Sequence, residues 1–221
     1  GSAGSSGAAG AGGGPPVPAL EFRVGDKTES RAFWGDAFTV RATGLPSDTS
    51  VTLRFRADIV DSEHESWASF RTDPSGSVDV STMAPEAGTW ADADIDGPVW
   101  SMSPVTDGED RLVFNRLQAS VEIDGAEIVS GELDRYYIAD DVIETPVSEN
   151  GLVGVLYARS GAQKLPVVIA FGGSEGGLSS GRNIAAYYAS LGYASLGLAY
   201  FAEPGLPSLL EEIPLEYFDT A

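Results

Sequence analysis

Cysteine is absent from this 221-residue chain, and histidine occurs once, at His64. Without a thiol there is no disulfide framework, no thiolate nucleophile and no zinc-thiolate centre, and the redox compartment stays open. Basic residues are scarce as well: 13 Lys and Arg stand against 33 Asp and Glu, a formal charge of −20 that no basic cluster offsets. This balance opposes binding to nucleic acid or to an anionic membrane surface and reads as a solubility device. No apolar run reaches the roughly 18 residues that a membrane-spanning helix needs. Residues 1–16 also lack the basic and apolar regions of a secretion signal.

What the chain does have is enough apolar content, 43%, for a packed core. Residues 1–14 hold only Gly, Ala and Ser, and Pro15, Pro16 and Pro18 stiffen the path into Leu20. Such a segment, taken as residues 1–19, cannot bury enough surface to order itself; it reads equally as a vector remnant or as a tether following a cleaved lipoprotein signal. From Leu20 to Arg135 short alternating runs are separated by turn residues. Strands are predicted at Phe38 to Ala42, Val51 to Ala57, Trp67 to Arg71, Val78 to Val80, Val99 to Met102, Leu112 to Leu117 and Val121 to Ile123. About seven short strands at this spacing suggest a β-sandwich of immunoglobulin-like type.

After Tyr136 the pattern changes. Gly151 to Ala158 and Leu165 to Phe171 read as a strand pair joined by a turn, and Asn183 to Leu191 as a helix carrying Ile184, Tyr187, Tyr188 and Leu191 at helical spacing. Gly192 falls at the C-cap, and Tyr193 to Tyr200 reads as a further apolar strand. This is the opening of an α/β sheet, residues 136–221. Its apolar strands need cover on both faces, which one helix does not supply, so an exposed apolar face and sheet edge are expected.

Chemistry concentrates in LPVVIAFGGSEGG, Leu165 to Gly177, where a buried strand breaks into a glycine loop. Gly172, Ser174 and Gly176 fit the spacing G-x-S-x-G of a nucleophile elbow, but such an elbow follows several strands and precedes its acid and histidine. A serine also needs a nearby base. His64, flanked by Glu63 and Glu65, reads as a solvated loop residue, and Lys164 sits at the far end of the strand. The loop is better explained as the donor side of an oxyanion hole. Ser174 and Glu175 would supply backbone amides, and Gly172, Gly173, Gly176 and Gly177 would let substrate approach closely. Asp92, Asp94, Asp96 and Gly97 match the first half of a calcium loop, but Ser103 stands where its bidentate Glu belongs, so no metal site is expected.

The segments GDAFTVRATGLPSDTSVTLRF from Gly35, GTWADADIDGPVWSM from Gly88, LPVVIAFGGSEGGL, YASLGYASLGLAYF from Tyr188 and LEYFDTA from Leu215 resemble one family. It comprises the acyl-CoA thioesterases and the bile acid-CoA:amino acid N-acyltransferases. The resemblance implies an N-terminal sandwich followed by the start of an α/β-hydrolase domain, incomplete here. It matches Gly172 to Gly177 to the family's oxyanion loop, and the family's nucleophile, acid and histidine have no counterpart before Ala221. It implies acyl transfer from an acyl-CoA or other acyl ester, no cofactor, a second polypeptide segment completing the hydrolase domain, and a cytoplasmic setting. The alternatives are an N-acyltransferase, another ester or amide hydrolase of the family, or a non-catalytic binding module.

Overall fold

The computed structural model describes residues 16–59, 62–105 and 115–221. Regular structure starts with β1 (Ala19–Val24), β2 (Lys27–Thr28), β3 (Arg31–Phe33), β4 (Phe38–Thr43), β5 (Ser50–Ile59), β6 (Ser62–Arg71), β7 (Val78–Asp79) and β8 (Ala87–Gly88). The short helix α1 (Gly97–Trp100) leads to β9 (Ser103–Pro104), β10 (Arg116–Ile123) and β11 (Ala126–Tyr136). Then come β12 (Val142–Val147), β13 (Val153–Arg159), β14 (Val167–Phe171), α2 (Ser179–Ser190), β15 (Ala194–Ala199) and α3 (Glu216–Thr220). The fold is mostly β with few helices. It divides into two compact units, one running up to Ala32 and through Asp36–Arg135, the other made of Phe33–Gly35 and Tyr136–Ala221.

Two sheets build the first unit, one ordered β2-β1-β4-β7 and one ordered β3-β11-β10-β5-β6-β8 with β9 also on β6. Alternation along each strand sends one set of side chains inward: Phe38, Val40 and Ala42 from β4, Val51, Leu53 and Phe55 from β5, Leu117 and Val121 from β10. These join Phe22, Phe70 and Leu133 in one buried cluster shared by both sheets, the layout of a β-sandwich. Each fully buried Leu or Phe contributes roughly 1.5–3 kcal/mol. Outward positions carry charge instead; Arg54 bridges Glu65 and Glu122 across three strands.

Three expectations for this unit are corrected. Residues 116–123 form one strand rather than ending at Leu117 and restarting at Val121, and β10 pairs with an eleven-residue strand, β11, that alternation did not reveal. Their link is Asp124-Gly125 with φ of 52° and 77°, the two-residue hairpin geometry that matches strand twist. Residues 112–114 of the expected strand lie outside the described residues. Val99 to Met102 is not a strand either: Pro98 sits in the first turn of α1, where its fixed φ suits a helix, and Gly97 lies against the Trp90 ring. Finally, His64 is not a solvated loop residue. It stands on the inward row of β6, 2% exposed, with its Nδ1 3.2 Å from Ser62 Oγ.

In the second unit the sheet runs β12-β13-β15-β14. The expected pairing of 151–158 with 165–171 is absent: β13 pairs antiparallel with β12 and β15, and β15 lies between β13 and β14. β14 and β15 are parallel, connected through α2, as a β-helix-β crossover requires. α2 also turns opposite to expectation. Its buried residues are Gly181, Ala185, Ala186, Ala189 and Ser190, while Ile184, Tyr188 and Leu191 are exposed. Small residues face inward because the helix backbone lies almost on the sheet; a Cβ on Gly197 would come within 2.8 Å of the Gly181 carbonyl oxygen. Val155, Tyr157 and Ala170 complete that core. On the other face Leu152, Leu196 and Leu198 are capped by Tyr217 and Phe218. Val167 and Ile169 of the edge strand β14 are 69% and 39% exposed, and Phe171, whose ring meets Phe218, is 48% exposed.

Candidate active-site loop

The loop expected from sequence occupies residues 172–178, between the carboxyl end of β14 and the first turn of α2. Crevices at the carboxyl ends of parallel strands are where α/β sheets hold ligands. Apolar β14 lies parallel to β15 with Phe171 opposite Leu198, the last pair of the ladder, and the loop begins there. Residues 200–203, at the equivalent end of β15, then fasten it. Tyr200 donates its hydroxyl to the Gly172 carbonyl at 3.1 Å, Gly177 N–H donates to Phe201 O at 3.1 Å, and Leu178 N–H donates to Glu203 Oε1 at 3.1 Å. Beneath, the rings of Phe171, Tyr200 and Phe218 meet at 5.5–5.6 Å between centroids. Tyr217 adds a clamp, accepting from Val153 N–H and donating to the Ala199 carbonyl.

Six sequence-predicted site residues therefore lie together in one loop. Gly176 has φ +68°, and any Cβ there would stand 2.7 Å from the Ala202 Cβ and 2.8 Å from the Phe201 ring, so both conformation and space demand glycine. Ser174 is exposed, and among the described residues its amide and hydroxyl make no hydrogen bond. The two expected amide donors differ. Ser174 N–H is open to solvent, whereas Glu175 folds its own carboxylate back onto the loop and accepts from Gly173 N–H at 3.1 Å. The Ser180 hydroxyl, the Glu175 amide and the Gly173 amide together hold that carboxyl below the usual glutamate range. Gly172 and Gly173 permit this, since Cβ atoms there would lie 2.6 Å and 3.0 Å from the carboxylate oxygens.

Sequence reasoning did not anticipate Tyr200, Glu203 and Phe218 as the loop's supports. An aromatic pair directly after a strand, Tyr200-Phe201, was the available signal. It also missed a cleft of about 390 Å³ beside α2, lined by Tyr157, Glu144, Arg182, Asn183, Leu178 and Glu203 among others. There Tyr157 donates to Glu144 Oε2 at 2.9 Å, and Arg182 donates both to Glu144 Oε1 at 2.7 Å and to the Tyr157 oxygen at 3.2 Å. The acidic run at 92–96 is spent on local bonding: Asp94 accepts from the Trp100 indole N–H at 2.9 Å and from Asp96 N–H at 2.8 Å, and its carboxyl is lowered chiefly by the indole bond. Among the described residues no group of three or more His, Asp or Glu side chains is placed to hold a metal ion. None of the described helices is long and apolar enough to cross a membrane.

Residues 35–149 match the family model described as the acyl-CoA thioester hydrolase/BAAT N-terminal region. The chain belongs to this family. Its similar proteins include human bile acid-CoA:amino acid N-acyltransferase, 33% identical over 200 residues that make up 82% of this chain and 47% of the relative. Mouse acyl-coenzyme A thioesterase 6 is 29% identical over 207 residues, 86% of this chain and 48% of the relative. Mouse acyl-coenzyme A amino acid N-acyltransferase 1 is 29% identical over 215 residues, 88% and 50% respectively. The chain thus spans about half the length of the curated relatives it matches, and these family members carry names of both thioesterases and acyltransferases.

Proposed function

We propose that this chain is the N-terminal portion of an acyl-CoA thioesterase-like serine hydrolase. It supplies an immunoglobulin-like sandwich and the first part of an α/β-hydrolase domain, with residues 172–177 as the oxyanion side of the site. The observation that carries this reading is the glycine loop at the carboxyl end of a parallel strand, with the Ser174 amide unpaired and exposed. Ser174 itself is not the nucleophile: the sole histidine, His64, is buried in the core of the first unit and is no accessible base. In this reading the nucleophile, acid and histidine come from a further polypeptide segment. The exposed side chains of Val167 and Ile169 on the edge strand, beside the ring of Phe171, are where that segment packs. The loop amides then steady the oxygen on which charge develops as the thioester carbonyl is attacked.

Thiol release from acyl-CoA tests this, measured for residues 1–221 alone and after mixing with a purified polypeptide carrying the part of a relative that follows the matched half. Silence alone and turnover on mixing are expected. Robust turnover by the chain alone, abolished by Ser174→Ala, would refute the assignment of Ser174.

A second reading within the family, hydrolysis of an uncharged acyl ester, is favoured by the charge of the second unit. Its basic residues are Arg159, Lys164 and Arg182. Arg159 is engaged with Asp141 and the Ser190 carbonyl, and Arg182 with Glu144, which leaves little to meet the phosphates of coenzyme A. Running the mixing assay with nitrophenyl esters beside acyl-CoA separates the two substrates. Adding amino acid acceptors separates hydrolysis from N-acyl transfer.

A further inference from the structure

The loop that is shaped to hold an anion already holds one. The Glu175 carboxylate lies over the backbone of Gly172 and Gly173, taking the Gly173 amide at 3.1 Å, with the Ser180 hydroxyl and its own amide also lowering its pKa. These include two of the donors that a developing oxyanion would need; the third, at Ser174, stands beside them unused. The Glu175 side chain rests against the glycine backbone and not in an apolar pocket. It is exposed, so hydrogen bonds alone retain it, and a carboxylate held only by hydrogen bonds at the surface exchanges readily with water or another anion. Bracing of the loop is already supplied by Tyr200, Phe201 and Glu203.

We propose that Glu175 is a displaceable internal anion that keeps the loop closed, and that substrate oxygen reaches the Gly173, Ser174 and Glu175 amides only after this carboxylate swings into solvent. The consequence for catalysis rests on the reading of residues 172–177 given above, but the occupancy itself does not. In the closed arrangement the carboxylate would repel a developing oxyanion; in the open arrangement the Gly173 amide it occupied is released. The segment that completes the site therefore also has a gating task, since any cationic or hydrogen-bonding group it brings near Glu175 would draw the carboxylate off the loop.

Amide-resolved NMR of residues 1–221 titrated with inorganic phosphate tests the occupancy without any turnover. Wild type is expected to show no saturable shifts at Gly173, Ser174 and Glu175. Glu175→Ala should bind phosphate at those amides roughly tenfold or more tightly, the size expected when one charged hydrogen-bonded competitor is removed. Ser180→Ala, which loosens the carboxylate without removing it, should fall between. A folded Glu175→Ala that shows no saturable shifts, or a wild type that binds phosphate as tightly as the variant, overturns the proposal. The mixing assay can fail while this titration succeeds, which would reject the hydrolase reading and keep the gate.

Discussion

Replacing Gly197 with alanine should loosen the second unit more than its single added methyl suggests. Gly197 lies mid-strand in β15, and a Cβ there would stand 2.8 Å from the Gly181 carbonyl oxygen and 2.9 Å from the Arg182 nitrogen, both backbone atoms of α2. Ordinary contact begins at about 3.5 Å, so helix and strand must separate by roughly 0.7 Å. Backbone cannot step aside as a side-chain tip can, and overpacking of this kind costs about 1–3 kcal/mol. Taking about 2 kcal/mol for a unit of this size, the melting midpoint should fall by roughly 8–16 °C. Gly181→Ala probes the same contact from the helix side. Its Cβ would meet the Ala170 carbonyl at 3.0 Å and Leu198 backbone at 3.2–3.3 Å, a milder clash, and alanine regains up to about 1 kcal/mol of helix propensity. The expected order is therefore wild type, Gly181→Ala, Gly197→Ala. The helical far-ultraviolet signal is the assay, because α2, with twelve residues, is the longest described helix. A Gly197→Ala midpoint within about 2 °C of wild type, or a reversed order of the two variants, refutes the close-approach argument.

Two further outcomes are expected. Glu144 is held below its ordinary range first by the Tyr157 hydroxyl and then by Arg182, so its folded pKa lies below its unfolded one. Its contribution is present above the ordinary glutamate range and disappears as pH falls through the depressed value. Glu144→Gln should flatten that acid limb in urea midpoints of the second unit, and an unchanged limb would show the cluster to be inert. On the uncovered face, Val167→Lys with Ile169→Lys should reduce self-association in sedimentation while shifting stability by no more than about 0.5 kcal/mol, since both side chains are exposed. A wild type that stays monomeric at high concentration, or a variant that melts much lower, counts against an exposed docking face.

Local pattern made much of the molecule legible. The alternation of Val51, Leu53 and Phe55 placed a strand and its inner face correctly, because burial on one side of a sheet writes itself into every second residue. The glycine loop was legible for a similar reason: an apolar run can end so abruptly only where backbone must be exposed. Errors arose where long-range contacts outweighed local pattern. β11 buries mainly Leu133 and otherwise shows polar or half-exposed side chains, so only the Asp124-Gly125 turn could have announced it. His64 looked solvated beside two glutamates, yet strand alternation sends Glu63 and Glu65 outward and His64 inward. The large apolar residues of α2 implied a buried stripe, but a helix seated on Gly197 must present its smallest face. Nor could periodicity show that β15 would insert between β13 and β14, since strand order is decided by pairing across distant positions.

The fastening of the loop by residues 200–203 has a kinetic meaning. Among the described residues every ladder partner of β14 lies in β15, and the clamps on Gly172, Gly177 and Leu178 come from Tyr200, Phe201 and Glu203. When residue 177 joins the growing chain, none of these partners yet exists. The loop must wait for some 25 further residues and for the closure of the helical crossover, a contact whose entropy is met before any of its bonds form. During synthesis, therefore, the loop proposed to steady the oxyanion is among the last parts of its unit to acquire shape.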